Sequence, residues 1–178
     1  MGINIKAFRY IQMIVYDLDK DFAASRICLL GNLYFAKGTQ CIQKKAGTKI
    51  VHKYFEKNGI DVVSIDLNGK DGALSLDLQE PLPESIGKFN IIINAGTTEH
   101  VAKQDECFQN IHNICRKGGL MFHIVPLVGS WPRHGLHHYD EAFFKDLAEK
   151  YHYSVVDMRV DDWVGPKHKL IFTCLRKQ

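Results

Sequence analysis

Short apolar runs alternate along this chain with longer stretches of helical spacing, and each run stops at a turn residue. Ile27-Cys28-Leu29-Leu30 stops at Gly31, Val62-Val63-Ser64-Ile65 at Asp66, Ile91-Ile92-Ile93 at Asn94-Ala95-Gly96, and Leu120 through Val125 at Pro126. Runs apolar at nearly every position suit strands covered on both faces, as parallel strands are. Between them, Ile50, Val51, Tyr54 and Phe55 recur at helical spacing ahead of the helix stop Asn58-Gly59. Cys107, Phe108, Ile111 and Cys115 share one face of a second helix, predicted to end in Arg116-Lys117-Gly118-Gly119, where the cations suit the negative end of the helix dipole. Asp140 is placed to cap a third helix that buries Phe143, Phe144 and Leu147.

Two late runs, Tyr153 to Val160 and Lys169 to Leu175, predict an antiparallel hairpin closing one sheet edge, with Asp161-Asp162-Trp163-Val164-Gly165-Pro166 as its turn. The first 25 residues are ambiguous, although Ile5, Phe8, Ile11 and Val15 suit one helical face. A length of 178 residues is enough for one domain with a real core, so a single domain over 1–178 is expected, a helical extension (1–25) preceding a core (26–176). No repeat or low-complexity linker divides it.

Composition narrows the classes. Hydrophobic residues make up 46% of the chain, but no apolar run approaches the roughly 18 residues of a membrane span. The first twenty residues lack a small-residue cleavage site, so no secretory leader is expected. Five cysteines without a C-x-x-C pair argue for reduced thiols in a cytoplasmic protein, with Cys107 and Cys115 as small buried hydrophobes. A net charge of +3 with scattered Lys and Arg does not make a nucleic-acid surface.

In an open parallel sheet the ligand crevice lies beyond the carboxyl ends of the strands, where strand order reverses. The four apolar runs therefore direct attention to Gly31, Asp66, the loop from Asn94 to His100 and the loop beginning at Pro126. A carboxylate directly after a buried strand can accept hydrogen bonds from both hydroxyls of a ribose, and Asp66 is that candidate.

The order Ser64-Ile65-Asp66-Leu67, Leu76-Asp77-Leu78 with Pro81-Leu82-Pro83, Phe89-Asn90-Ile91-Ile92-Ile93-Asn94, and Glu99-His100-Val101 ahead of a helix and Lys117-Gly118-Gly119-Leu120 resembles the class I S-adenosylmethionine-dependent methyltransferases. The resemblance covers roughly residues 26 to 176. It implies an α/β fold, a Rossmann-like three-layer sandwich with a mostly parallel central sheet and a C-terminal antiparallel hairpin. It also implies S-adenosylmethionine as cofactor. Carried over by position, Gly31 is the turn beside the methionine moiety, Asp66 the ribose-binding acid, Asp77 and Leu78 the pair beside the adenine, and Asn94, Ala95 and Gly96 the strand end near the methionine part. The loop from His123 and Pro126 through His134-Gly135 and Tyr139 to Phe143-Phe144 is similar to methyltransferases of small molecules, including sugar-type acceptors, and implies a small-molecule acceptor, a sugar-type hydroxyl among the candidates.

The chain departs from that family at its first motif. Instead of a compact G-x-G-x-G turn, Gly31 leads into Asn32-Leu33-Tyr34-Phe35-Ala36-Lys37-Gly38, whose side chains restrict how closely backbone and ligand approach. Asp66 also follows Gly31 by 35 residues, against about 20 in the dinucleotide fingerprint, so an NAD site of that kind is absent. The altered loop keeps open a second reading, a noncatalytic methyltransferase-like binding or interaction domain. A nucleic-acid methyltransferase is disfavoured, because Asn94-Ala95-Gly96-Thr97 stands where Asn-Pro-Pro-Tyr or Asp-Pro-Pro-Tyr would be.

Methyl transfer gains most from alignment, and a hydroxyl acceptor gains further from a base near neutral pH. Of nine histidines, His100, His123 and His134 are the candidates for that role, with Trp131 and Tyr139 as possible walls of an acceptor pocket. The cluster of His134, His137 and His138 offers imidazoles to a zinc ion, but no Cys or carboxylate stands at a familiar ligand spacing beside them, so no metal is expected.

Overall fold

All four apolar runs are strands of one sheet. The computed structural model describes residues 2–18, 21–162 and 167–178. In chain order its elements are β1 (Gly2–Ile3), α1 (Ile5–Asp17), β2 (Ile27–Leu30), β3 (Tyr34–Phe35), α2 (Gln40–Ala46), α3 (Val51–Lys57), β4 (Val62–Ile65), a 3-10 turn at Glu84–Ile86, β5 (Phe89–Ala95), a second 3-10 turn at Thr98–His100, α4 (Gln104–Ile114), β6 (Cys115–Pro126), α5 (Glu141–Tyr151), β7 (Tyr153–Asp162) and β8 (Lys169–Lys177). The main sheet has the order β4-β2-β5-β6-β8-β7. Its first four strands are parallel, and β8 and β7 add the antiparallel hairpin; Asp161 and Asp162, expected in its turn, still pair with Leu170 and Lys169, and residues 163–166 of the connection lie outside the described residues. Strand order reverses between β2 and β5, which sets the ligand crevice at their carboxyl ends.

Period-two alternation divides the core into two clusters, one on each face. Ile27, Leu29, Ile91, Ile93, Phe122 and Phe172 face α1 and α3, which bury Tyr10, Ile11, Val51 and Phe55 against them. Cys28, Leu30, Ile92, Met121, Val125 and Ile171 face α4 and α5, which contribute Phe108, Ile111, Phe144 and Leu147, and Cys107 and Cys115 are buried here. The result is the three-layer α/β sandwich. The Asp140 side chain accepts from Phe143 N at 2.9 Å and caps α5 as its position predicts.

The N-terminal helix packs on the core with Phe8, Ile11 and Val15 of its predicted face buried, and Tyr10 lies edge-on to Phe122 at 5.9 Å. Two local expectations change. The helix expected to reach Lys117 ends at Ile114. Cys115 is already extended and pairs with Phe89, and a register shift follows before Ile91 meets Leu120. The unusual segment after Gly31 becomes β3, which pairs in parallel with β1 and buries Phe35. A chain of apolar side chains replaces the glycine turn there because those side chains fill core space beneath α1.

Candidate functional site

A cleft of about 250 Å³ opens at the reversal point, between the ends of β2, β4 and β5. Gly31, Asp66, Asp77, Leu78, Gly96 and His100 of the sequence candidates line it. Asp66 is held in place on its wall. Oδ2 accepts from Asn32 N at 2.7 Å and Oδ1 from Asn68 N at 2.9 Å, so the carboxylate is oriented by backbone on both sides while each oxygen keeps a further lone pair. Asp77 is held by its own turn, accepting from Gln79 N at 2.9 Å. Leu76, Leu78 and Val101 supply apolar surface between them.

The loop from Gly31 is built into a polar network. The Asn32 amide donates to Asp71 Oδ2 at 2.9 Å and Tyr34 donates its hydroxyl to the same oxygen at 3.0 Å, which holds the Asp71 carboxyl below its ordinary range. Gly31 itself has φ +88, and a Cβ there would collide with Thr97 Oγ1, which donates to Leu30 O at 2.6 Å. Its glycine is therefore required by the backbone and by the packing of Thr97 across the strand ends.

Four of the cofactor and general-base candidates do not line the cleft. Ala95 is buried in the strand. Asn94 is fully buried and builds the following turn. Its Oδ1 accepts from Thr97 N and Thr98 N, and its Nδ2 donates to Thr98 Oγ1 at 2.8 Å and faces His123 Nδ1 at 3.2 Å. His123 is 1% exposed between Phe108 and Phe144, and burial pulls its pKa down to about 3, so it has no path to a ligand in the cleft. The strand alternation that makes Asn94 and His123 neighbours also turns both side chains inward. Tyr139 is likewise core, donating to Gln104 Oε1 at 2.8 Å and accepting from the Thr98 hydroxyl at 3.1 Å.

His134, the fourth, stands next to the cleft with His100 and Glu99. Glu99 Oε1 lies 3.6 Å from His134 Nε2 and 3.9 Å from His100 Nε2, and the two rings meet edge-on at 5.0 Å. The loop after β6 is fastened here: Glu99 O accepts from Leu136 N and His137 N at 2.7 and 3.0 Å, and Gly135 packs so closely on Glu99 that no Cβ fits. The Glu99 side chain is 0% exposed, and burial pushes its carboxyl up to about 7. Burial lowers the pKa of both His100 and His134, and His134 is lowered further by its histidine neighbours. Glu99 is the residue that spacing rules overlook, since its partner His134 follows by 35 positions. Its sequence signal is an acid directly before His100, just past a strand end.

Residues 45–165 match the family model of the methyltransferase domain. The chain belongs to the methyltransferase domain family. This methyltransferase domain has the class I, Rossmann-like fold. One similar structure is the 1,6-didemethyltoxoflavin-N1-methyltransferase of Burkholderia thailandensis, solved with 1,6-didemethyltoxoflavin and S-adenosylhomocysteine (TM-score 0.62, 14% identity, 94% of this chain and 76% of that one). Another is the N-methyltransferase NodS of Bradyrhizobium japonicum with S-adenosylhomocysteine (TM-score 0.64, 12% identity, 98% and 88%). The [4+2]-cyclase SpnF aligns equally well (TM-score 0.62, 13% identity, 96% and 80%), so the shared fold does not by itself name a reaction. No curated protein matches the sequence. Among the described residues of the methyltransferase domain, no helix is long and apolar enough to cross a membrane.

Proposed function

We propose that this domain binds S-adenosylmethionine in the strand-end cleft and methylates a small molecule, at a hydroxyl of a sugar-type acceptor, in the cytoplasm. The observation that carries the reading is the convergence of Asp66, the Asp77-Leu78 pair and Gly96 on one cavity at the reversal point of the sheet. The residues fit the nucleoside part of the cofactor. The oriented Asp66 carboxylate has lone pairs left for two ribose hydroxyls, Asp77 can accept from an exocyclic amine, and Leu76, Leu78 and Val101 offer surface to a base. When bound, the cofactor supplies an electrophilic methyl group on a sulfonium.

The chain's own contribution is to hold and align. The backbone N–H groups of Asn32 and Asn68 keep Asp66 in one rotamer, and Asn94 fixes the turn that carries Thr97 and Thr98. His100 is the histidine candidate that faces the cleft, so the edge formed by Glu99, His100 and His134 is where the acceptor would approach. Buried cysteines at 28, 107, 115 and 174 suit a reducing compartment.

Titration calorimetry with S-adenosylmethionine and S-adenosylhomocysteine, using ATP and NAD as controls, tests the reading. Selective micromolar binding is expected, and no binding at millimolar ligand would overturn it. Thr97, which occupies the space over Gly31, favours one other reading, a domain that binds cofactor without transfer. Binding with no turnover across a panel of hydroxylated acceptors would select that alternative.

A further inference from the structure

The Glu99 carboxylate is a buried acceptor whose geometry is incomplete. Neither of its oxygens has a hydrogen-bond partner, and neither does the buried Nε2 of His134. The approaches of 3.6 and 3.9 Å to the two imidazoles are too long for hydrogen bonds, so these groups face one another around a gap. A buried carboxylate left unpaired is costly, and it is relieved by protonation, by a cation or by direct hydrogen bonds.

We propose that Glu99, His100 and His134 form a binding site for a divalent first-row transition metal at the rim of the cleft. One ligand atom from each of the three residues lies within 4.8 Å of the others. Two ligands on a tetrahedral zinc, at about 2.0–2.1 Å from the ion, stand roughly 3.3–3.5 Å apart, so a contraction of a few tenths of an ångström brings Glu99 Oε1 and either imidazole to ligand spacing. Two nitrogens and one carboxylate oxygen suit zinc, cobalt, iron or manganese, and a three-residue set leaves coordination positions open.

The fold builds the site from separated pieces. Glu99 and His100 are consecutive on the turn after β5, and His134 is delivered by the loop after β6. The hydrogen bonds from Leu136 N and His137 N to Glu99 O and the packing of Gly135 clamp that loop onto the carboxylate's own residue. His134 N also donates to Trp131 O at 3.1 Å, and the two rings pack at 5.4 Å, which restricts the imidazole. His100 lines the cleft, so the ion stands beside the acceptor edge. Resting on the methyl-transfer reading, its open positions would coordinate the oxygen of a hydroxylated acceptor.

The test uses tag-free, metal-stripped protein without cofactor, titrated with Co²⁺ and Zn²⁺. One equivalent of Co²⁺ is expected to bind with visible d–d absorption, and Zn²⁺ is expected to displace it. Glu99→Gln and His134→Asn should each weaken Zn²⁺ binding by about 100-fold, the upper end of what even outer partners of a metal contribute. His100→Asn, at a half-exposed position, serves as the variant least able to disturb folding, and His138→Asn should bind like wild type. Circular dichroism establishes that each variant is folded. Absence of stoichiometric uptake by wild type, or unchanged affinity in folded Glu99→Gln and His100→Asn, would overturn the site. Cofactor titration of the same stripped protein separates that failure from failure of the methyltransferase reading.

Discussion

The backbone N–H of Asn32 donates to Asp66 Oδ2 at 2.7 Å, joining the segment that follows β2 to the acid that follows β4. With Asn68 on the other oxygen, the carboxylate closes two loops at once, and its orientation toward the cleft is a product of those backbone bonds.

Asp66→Ala is therefore expected to act twice. Loss of charge-assisted bonds worth about 1.5–3 kcal/mol each should reduce S-adenosylmethionine affinity at least about tenfold, and the loosened loops should lower the urea midpoint as well. Calorimetry paired with urea unfolding checks both effects; unchanged affinity in a folded variant would remove Asp66 from the binding site.

Gly31→Ala should destabilise the domain by about 1–2 kcal/mol from its left-handed backbone alone, with the clash against Thr97 added. Combining it with Thr97→Ala should recover the steric part and leave the backbone part. A double-mutant cycle in urea reads this, and strict additivity of the two changes would argue against the contact.

Asn94→Ala is expected to behave as a core mutation, because the side chain supports Thr97, Thr98 and His123 and does not line the cleft. A loss of about 1–3 kcal/mol in unfolding free energy follows from leaving buried partners unpaired. Stability close to wild type would contradict this assignment.

His123 makes a signed prediction about pH. Its folded pKa is depressed to about 3 by burial, against about 6.5 when unfolded, so below pH 6.5 the unfolded chain binds a proton that the native state refuses. This group's effect is absent well above pH 6.5 and grows as destabilisation by about 1.4 kcal/mol per unit on descending toward pH 3, which amounts to about 2 kcal/mol at pH 5. His123→Gln should remove that share. Urea unfolding at pH 7.5 and pH 5 for both proteins measures the difference, and parallel pH profiles would refute it.

Local sequence by itself determined the strands of the main sheet and most of the helices. Ile27–Leu30 and Val62–Ile65 are strands over the predicted span, and Asp140 caps the helix that its type and position announce, because burial on two faces and capping leave their mark within a few residues. The strand ends also pointed to the cleft that Gly31, Asp66 and Gly96 line. Tertiary structure alone decided which side of each element its polar residues occupy. Asn94 and His123 follow or lie within apolar runs like any site residue, and only the pairing of β5 with β6 turns them toward each other in the core. In the same way, nothing local marks Glu99 as the partner of His134. Their meeting depends on a loop folding back from β6 onto the end of β5, a long-range contact whose chemistry neither segment carries alone.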